Sequence, residues 1–163
     1  MFENNTIYPE NKKECYELIL KQLNALLENE RNLIPNLANS SALLGMALRD
    51  INWAGFYLMK NGELLLGPFQ GKPACVHIPV GKGVCGTAVS EGKTQLVPDV
   101  HKFEGHIACD SASRSEIVVP IYAGGVIKGV LDIDSPLPGR FDSLDQHYLE
   151  EFVRILEASC DWD

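Results

Sequence analysis

Apolar residues recur at helical spacing in segments at both ends of the chain. From Lys12 to about Asn32 they form one stripe between charged residues: Cys15, Leu18, Ile19, Leu23, Leu26 and Leu27. Pro35 suits the first turn of a second helix, which ANSSALLGMALRD extends with small residues. In the last segment the stripe comprises Leu144, Tyr148, Leu149, Phe152, Ile155 and Leu156. The pattern predicts two helices before the middle of the chain and an amphipathic helix at its end.

The middle of the chain alternates short apolar runs with turn residues, which is typical of strands. Asn61-Gly62 separates two such runs and Gly124-Gly125 separates two more, so each pair predicts a hairpin. Between the hairpins, KPACVHIPVGKGVCGTAVSEGKTQLVPDV predicts a strand, a glycine-containing turn, a short helix from about Val84 to Glu91 and another strand. VHKFEGHIACDSASR has no period and predicts a long loop. These elements indicate an α+β domain with a mostly antiparallel sheet of about six strands, packed by N- and C-terminal helices.

Length and charge limit the classes of protein and partner. The 163 residues suffice for one core and have no break in composition, so we expect a single domain over residues 1–163. No apolar run is long enough to span a bilayer and the first residues do not resemble a leader, which predicts a soluble, cytoplasmic protein. A net charge of -8 argues against nucleic acid or an anionic membrane as partner. A small molecule or another protein is the expected partner.

The cysteine content points away from a permanent disulfide framework. Five cysteines are an odd number in a chain without a secretion signal, and a reducing cytosol keeps such thiols free. Packing, metal binding and redox chemistry remain as their uses. Cys15 and Cys160 fall on the apolar stripes of the terminal helices and are predicted to be core residues.

Strand parity predicts a cluster of carboxylates. Asp132 and Asp134 share one face of their strand, and the Gly124-Gly125 hairpin would bring Glu116 near one of them. Like charges held close resist joint ionisation, so one carboxyl group of the three is expected to keep a proton near neutrality and to serve as a general acid. Alternatively, Asp134 simply begins a turn, since Ser-Pro follows it.

Several motifs carry a resemblance to a known family. SEIVVPIYAGGVIKGVLDIDS, followed by Phe141 and the terminal helix, resembles the GAF domain together with VGKGVCGTAV upstream. Within that superfamily, Cys75, Cys85 and Cys109 in their local sequences, and the segment NWAGFYL, are similar to the free methionine-(R)-sulfoxide reductases. The resemblance covers nearly the whole chain. Signalling GAF domains have no reason to keep three cysteines at these positions, so the trio favours an enzyme.

The resemblance assigns roles to the thiols that electrostatics does not. It implies that Cys109 is the nucleophile that becomes a sulfenic acid and that Cys75 resolves it as a disulfide, with Cys85 a third family position of less certain role. On electrostatics alone Cys85 is the better nucleophile, because a helix start lowers a thiol pKa whereas Asp110 and Glu116 raise that of Cys109. Cys85 could also be a small buried residue that packs the helix on the sheet.

The resemblance also implies a binding site and a reductant. Glu116, Asp132 and Asp134 would bind the sulfoxide oxygen and the amine of the substrate and supply the proton, while Trp53 and Tyr57, which share a strand face, would pack against its methylsulfinyl end. Thioredoxin is the implied reductant, and no cofactor is implied. The loop that holds Cys109 must then lie over the strand start at Cys75 or move there, so residues 99–113 are predicted to be mobile. A homodimer through the first helices is possible.

Other functions use the same residues. Cys75, His77, His106 and Cys109 could together bind zinc, although their spacing fits no common pattern and the reductase needs no metal. A GAF sensor of a small ligand or a redox signal is the second function class, which the absence of an output domain in the chain disfavours. The resemblance also disfavours a reductase of methionine sulfoxide within proteins.

Overall fold

The computed structural model describes residues 6–107 and 109–163 of the chain. The prediction that the first residues are not a leader rests in part on residues 1–5, which lie outside these ranges. The four α-helices are α1 (Lys12–Leu27), α2 (Leu33–Ala47), α3 (Gly83–Glu91) and α4 (Ser143–Ser159). The six strands are β1 (Trp53–Lys60), β2 (Glu63–Gly71), β3 (His77–Pro79), β4 (Gln95–Val97), β5 (Ser115–Ala123) and β6 (Val126–Ser135).

The strands form one antiparallel sheet in the order β3-β2-β1-β6-β5-β4. Both predicted hairpins are present, β1 with β2 and β5 with β6. After β3 the chain crosses the sheet through α3 and reaches the opposite edge at β4. The predicted α+β class, with its six-stranded antiparallel sheet, is confirmed.

The two faces of the sheet pack against different partners. On one face the terminal helices and α2 cover the larger core, which takes Phe56, Ile117 and Leu131 from the strands and includes the buried Cys15 and Cys160. On the other face α3 and the long loops cover a smaller cluster built on Val118 and Val130 and their neighbours. Alternation along β5 and β6 therefore gives one face to the helices and leaves the other for the site.

The N-terminal helix is shorter than its periodicity predicts. Helix α1 ends at Leu27 instead of continuing to about Asn32. Asn29 takes a left-handed conformation with φ of 63°, which a helix cannot accommodate and which asparagine tolerates better than most residues. The turn it makes lets α2 fold back against α1.

The start of α4 carries a buried charge where the pattern predicted an apolar stripe. Leu144 is exposed, and the adjacent Asp145 is fully buried. Its carboxylate accepts hydrogen bonds from the Tyr16 hydroxyl at 2.6 Å and from Lys12 Nζ at 2.8 Å. Asp145 also accepts from the backbone N–H of Asp142 in a capping box at the start of the helix. This network joins α1 to α4, and no periodicity of apolar residues could have predicted it.

Among the described residues, no helix has both the length and the apolar character needed to cross a membrane.

Candidate active site

A cavity of about 560 Å³, open to solvent, lies between the second face of the sheet, α3 and the loops that follow β2 and η1 (Val100–Lys102). Seven of the eight residues predicted to form a site line it: Trp53, Tyr57, Cys85, Cys109, Glu116, Asp132 and Asp134. The eighth, Cys75, is bonded to Cys109. The fold thus gathers in one place residues that are spread over more than half of the chain.

The three carboxyl groups meet because of the pairing register of β5 and β6. Glu116 lies directly opposite Asp134, and Asp132 lies opposite Val118, two residues further along β5. The proximity predicted from strand parity is confirmed. Glu116 and Asp132 are only 6% and 5% exposed, and Asp134, which is half-buried, lies within β6 and lines the cavity. Asp134 is therefore not a turn residue.

Gly55 makes room beside this cluster. Gly55 lies on the neighbouring strand β1 and pairs with Asp132 of β6, so the position of β1 directly opposite Asp132 carries no side chain. A Cβ atom at Gly55 would lie 2.3 Å from the Cβ of Phe69 and 2.9 Å from the carbonyl oxygen of Pro68. The glycine therefore allows β2 to approach closely at the point where the β1–β2 register shifts.

The environment of the carboxyl groups favours their protonated forms. Burial, followed by the charges of Asp132 and Asp134, raises the pKa of Glu116 well above its usual value. Burial also raises the pKa of Asp132, and burial together with the Asp132 charge raises that of Asp134. The cluster as a whole therefore retains protons near neutral pH, which is the state that a general acid needs.

In the part of the chain that the structure describes, no lysine or arginine forms an ion pair with these carboxyl groups. The one ion pair of the cluster there joins His106 Nε2 to Glu116 Oε1 at 3.9 Å. Burial lowers the pKa of His106, so this imidazole is neutral near pH 7 and does not offset a carboxylate charge. Protons, and not a basic side chain, thus balance the cluster.

Cys85 has properties opposite to those expected from its position on a helix. It is the third residue of α3, as predicted, but it is 4% exposed and faces the carboxyl groups. Burial, followed by the charges of Asp132 and Glu116, raises its thiol pKa well above the usual value. The expectation of a lowered pKa was wrong because desolvation and two acidic neighbours outweigh the helix end.

The other two cysteines of the predicted site are bonded to each other. Cys75 and Cys109 form a disulfide with their Cα atoms 5.7 Å apart, across 34 residues of sequence. The loop before β5 therefore lies over the segment that leads into β3, as the predicted bridge requires. Residue 108, inside the stretch predicted to be mobile, lies outside the described residues.

The alternative zinc site is not assembled. Two of its proposed ligands, Cys75 and Cys109, are consumed in the disulfide. A third, His77, points to solvent and pairs through Nδ1 with Glu63 at 2.6 Å. The fourth, His106, lines the cavity. The alternative of a zinc site on these four residues therefore has no support in the disulfide form of the protein.

Two aromatic residues of β1 line the cavity and also hold one of its loops. Trp53 and Tyr57 share a face, as predicted, with ring centroids 5.9 Å apart. The indole N–H of Trp53 donates to the carbonyl oxygen of Lys72 at 3.1 Å, and the Tyr57 hydroxyl donates to that of Cys75 at 2.9 Å. Both side chains thus fix the backbone that carries Cys75, a task the sequence did not reveal.

Asn52 performs a similar task for the second loop and was missed from the sequence. Its side-chain N–H₂ group donates to Asp110 Oδ2 at 3.0 Å and to Ser113 Oγ at 3.1 Å. Asp110 follows Cys109 directly, so this contact holds the Cys109 loop against the start of β1. The only available signal was the place of Asn52 immediately before Trp53 in the NWAGFYL segment.

Comparisons with known proteins identify one family and a group of similar enzymes within it. Residues 32–158 match the GAF domain family. The free methionine-R-sulfoxide reductase of Escherichia coli is 55% identical over 147 residues, which are 90% of this chain and 89% of that protein. The structure of the fRMsr of Staphylococcus aureus in complex with substrate is similar with a TM-score of 0.87, at 57% identity and with 95% and 99% of the two chains covered.

A second solved structure extends this similarity. The free methionine-R-sulfoxide reductase from Neisseria meningitidis, in complex with its substrate, matches with a TM-score of 0.93 at 42% identity. The match covers 97% of this chain and 95% of that one. The likeness thus extends well beyond the segments quoted from the sequence.

Replacing Glu116 with glutamine should make the fold more stable at high pH. A carboxyl group whose pKa is raised in the folded state contributes stability at low pH that is lost as the pH rises through its folded-state pKa. Each pKa unit corresponds to about 1.4 kcal/mol, which shifts the melting temperature by several degrees in a protein of this size. We expect the melting temperature of the wild type to fall more steeply than that of Glu116→Gln as the pH rises above the usual pKa of a glutamate.

Calorimetry on the disulfide form, with the exposed Glu104→Gln as the matched control, measures this difference. Equal slopes for the wild type and Glu116→Gln would show that Glu116 is ionised like a surface carboxylate.

Proposed function

Because this chain belongs to the GAF domain family, in the branch that contains the free methionine-R-sulfoxide reductases, we propose that it reduces free methionine-(R)-sulfoxide to methionine. The observation that carries the proposal is the placement of a bonded cysteine pair, Cys75 and Cys109, at a cavity floored by three carboxyl groups whose pKa values are raised by burial. Reduction of a sulfoxide by thiols requires these two components together, a pair of thiols and an acid.

In the first step, the thiolate of Cys109 attacks the sulfur of the sulfoxide. The oxygen is protonated by the carboxyl cluster and passes to Cys109, which becomes a sulfenic acid as methionine leaves. The sulfoxide gains two electrons and Cys109 loses them. Glu116 and its neighbours are suited to the proton transfer because burial keeps them protonated near neutrality.

In the second step, Cys75 attacks the sulfenic acid, releasing water and forming the disulfide with Cys109. The Cα separation of 5.7 Å supports this pairing, since it lies in the normal range for a disulfide. Cys85 is unsuited to the role of nucleophile because its buried thiol has a strongly raised pKa. We assign it a place in the floor of the cavity.

The acidic side chains that line the cavity also favour a free amino acid as substrate. A free amino acid carries an ammonium group, which the carboxyl cluster could bind once a member is ionised. A methionine sulfoxide residue within a protein has an amide in its place and offers no such charge. Trp53 and Tyr57 supply an apolar wall for the methyl group and the sulfur.

Each turnover leaves a disulfide that another protein must reopen. Cys75 is half-buried and its neighbour Val76 is 51% exposed, so a dithiol reductant can approach the bond from this side. We propose thioredoxin as that reductant and the cytoplasm as the compartment, with no cofactor required. A homodimer through α1 and α2 stays a prediction, which light scattering in solution would test.

We expect the chain to consume the R epimer of free methionine sulfoxide and to leave the S epimer intact, with thioredoxin and its reductase as the recycling system. Cys109→Ser should abolish turnover, because it removes the attacking sulfur. Cys75→Ser should release one methionine per chain and then stop with thioredoxin, because the sulfenic acid cannot be resolved internally. Chromatography of the separate epimers and of methionine measures all three outcomes.

The matched control is Cys160→Ser, which changes a thiol in the helical core and should keep full turnover. If neither epimer is consumed with thioredoxin or with dithiothreitol, the reductase proposal fails. Saturable binding of a ligand without its consumption would then favour a GAF sensor.

Tyr57→Phe should separate the two chemical steps. It removes the hydroxyl that holds the carbonyl of Cys75 and keeps the ring that lines the cavity. Since such a hydrogen bond is worth about 1 kcal/mol, disulfide formation should slow by about fivefold while the release of methionine in the first turnover changes little.

Rapid quenching with separate assays of methionine and of free thiols measures the two rates. Tyr148→Phe, which alters a tyrosine of α4 on the other side of the sheet, is the control. Equal slowing of both steps in Tyr57→Phe would contradict the positioning role.

A further inference from the structure

Three side chains in the floor of the cavity have the spacing of a metal site. Cys85 Sγ, one oxygen of Glu116 and one oxygen of Asp132 all lie within 4.8 Å of one another, and all three residues are buried. They come from α3, β5 and β6, so three packed elements fix their positions. They do not include Cys75 or Cys109, whose sulfur atoms are bonded to each other.

We propose that Cys85, Glu116 and Asp132 bind a divalent cation of the zinc and cadmium class, and that this cation excludes substrate from the cavity. One thiolate and two carboxylates are donors that Zn²⁺ accepts in tetrahedral geometry. With ordinary Zn–S and Zn–O bonds the three donor atoms would be about 3.5 Å apart, so the side chains need only a small contraction to close on the ion. The open cavity leaves the fourth position to water or another small ligand.

An unsatisfied oxygen in the same place provides independent support. Asp132 is only 5% exposed, and its Oδ1 has no hydrogen-bond partner among the residues that the structure describes. The rest of its carboxyl group interacts with Glu116 and Cys85, the two other proposed ligands. A buried carboxylate oxygen without a partner is costly, and a bound cation would supply the missing interaction. Asp132 also lines the cavity, so the unsatisfied group is accessible to an ion from solvent.

The charge balance of the cluster points the same way. In the described part of the chain, no lysine or arginine forms an ion pair with Glu116, Asp132 or Asp134. A divalent cation would replace the protons that balance the cluster and would release them to solvent as it binds. The thiolate favours zinc and cadmium over magnesium and calcium, which prefer oxygen ligands alone.

The metal site does not depend on the proposed enzymatic activity, but the exclusion of substrate does. Glu116 and Asp132 are the groups proposed to bind the amine and the oxygen of methionine sulfoxide. A cation held by the same oxygens would leave neither available. Zinc would therefore act as a reversible inhibitor that leaves the Cys75–Cys109 pair untouched.

The test uses the oxidised protein, in which the disulfide prevents Cys75 and Cys109 from binding metal. Cd²⁺ is added as the probe, because a thiolate bound to cadmium gives a charge-transfer band in the ultraviolet. We expect one equivalent of Cd²⁺ per chain to produce the band. Added Zn²⁺ should displace the cadmium and remove the band. Cys85→Ser should remove the band and weaken metal binding by more than about 100-fold, since even changes outside the ligand shell cost about 10- to 100-fold.

Two further sets of variants make the result specific. Cys15→Ser and Cys160→Ser change the other free thiols and should keep the band and the affinity. Glu116→Gln should keep the band but bind cadmium more weakly, which identifies the site even if Cys85→Ser fails to fold. The absence of a band in the oxidised wild type, or an unchanged band in folded Cys85→Ser, would overturn the metal site.

The exclusion of substrate is tested in the same experiment by adding methionine-(R)-sulfoxide. The apparent cadmium affinity of the oxidised protein should fall in proportion to the sulfoxide concentration. An unchanged affinity would overturn the exclusion. A protein that binds cadmium through Cys85 but never consumes methionine sulfoxide would refute the proposed activity and leave the metal site standing.

Discussion

The burial of three carboxyl groups on one face of a sheet is the constraint on which the rest of the structure depends. Glu116, Asp132 and Asp134 meet because the β5–β6 register places them side by side, and no lysine or arginine in the described chain pairs with them. Such an arrangement is unfavourable by itself, because burial and mutual repulsion oppose ionisation. The protein accommodates it by keeping protons on the cluster, and those protons are what the proposed reaction uses.

The two-faced sheet makes this arrangement possible. The larger core between the sheet and helices α1, α2 and α4 contains most of the fully buried apolar side chains, so stability comes mainly from that side. The opposite face can then hold a polar, partly unsatisfied cavity. The expectation that Glu116→Gln is more stable at high pH follows from this division, since active sites commonly reduce the stability of the fold that carries them.

The loops add the redox pair to this face without placing it in the core. Side chains of β1 and of the residue before it hold both loops. Trp53 bonds to Lys72 and Tyr57 to Cys75, and Asn52 bonds to the segment after Cys109. One strand therefore aligns the two thiols with each other and with the carboxyl groups beside them. This explains why residues so distant in sequence form one site.

Much of this could be predicted from sequence, and the failures have identifiable physical causes. The hairpin at Gly124-Gly125 and the alternation along β6 were sufficient to place Asp132 and Asp134 beside Glu116, because both depend on local rules. The buried Asp145 and the raised pKa of Cys85 could not be predicted, because each depends on partners from elements distant in sequence. The proposed roles of the cysteines came from family resemblance, since the local sequence favoured Cys85 and did not reveal the burial that raises its pKa.

The most direct measurement is a single turnover of the fully reduced chain with methionine-(R)-sulfoxide and no other reductant, followed by mapping of every cysteine by mass spectrometry. We expect one methionine per chain and one disulfide, between Cys75 and Cys109, with Cys15, Cys85 and Cys160 still free. The absence of methionine, or a disulfide formed through Cys85, would contradict this expectation.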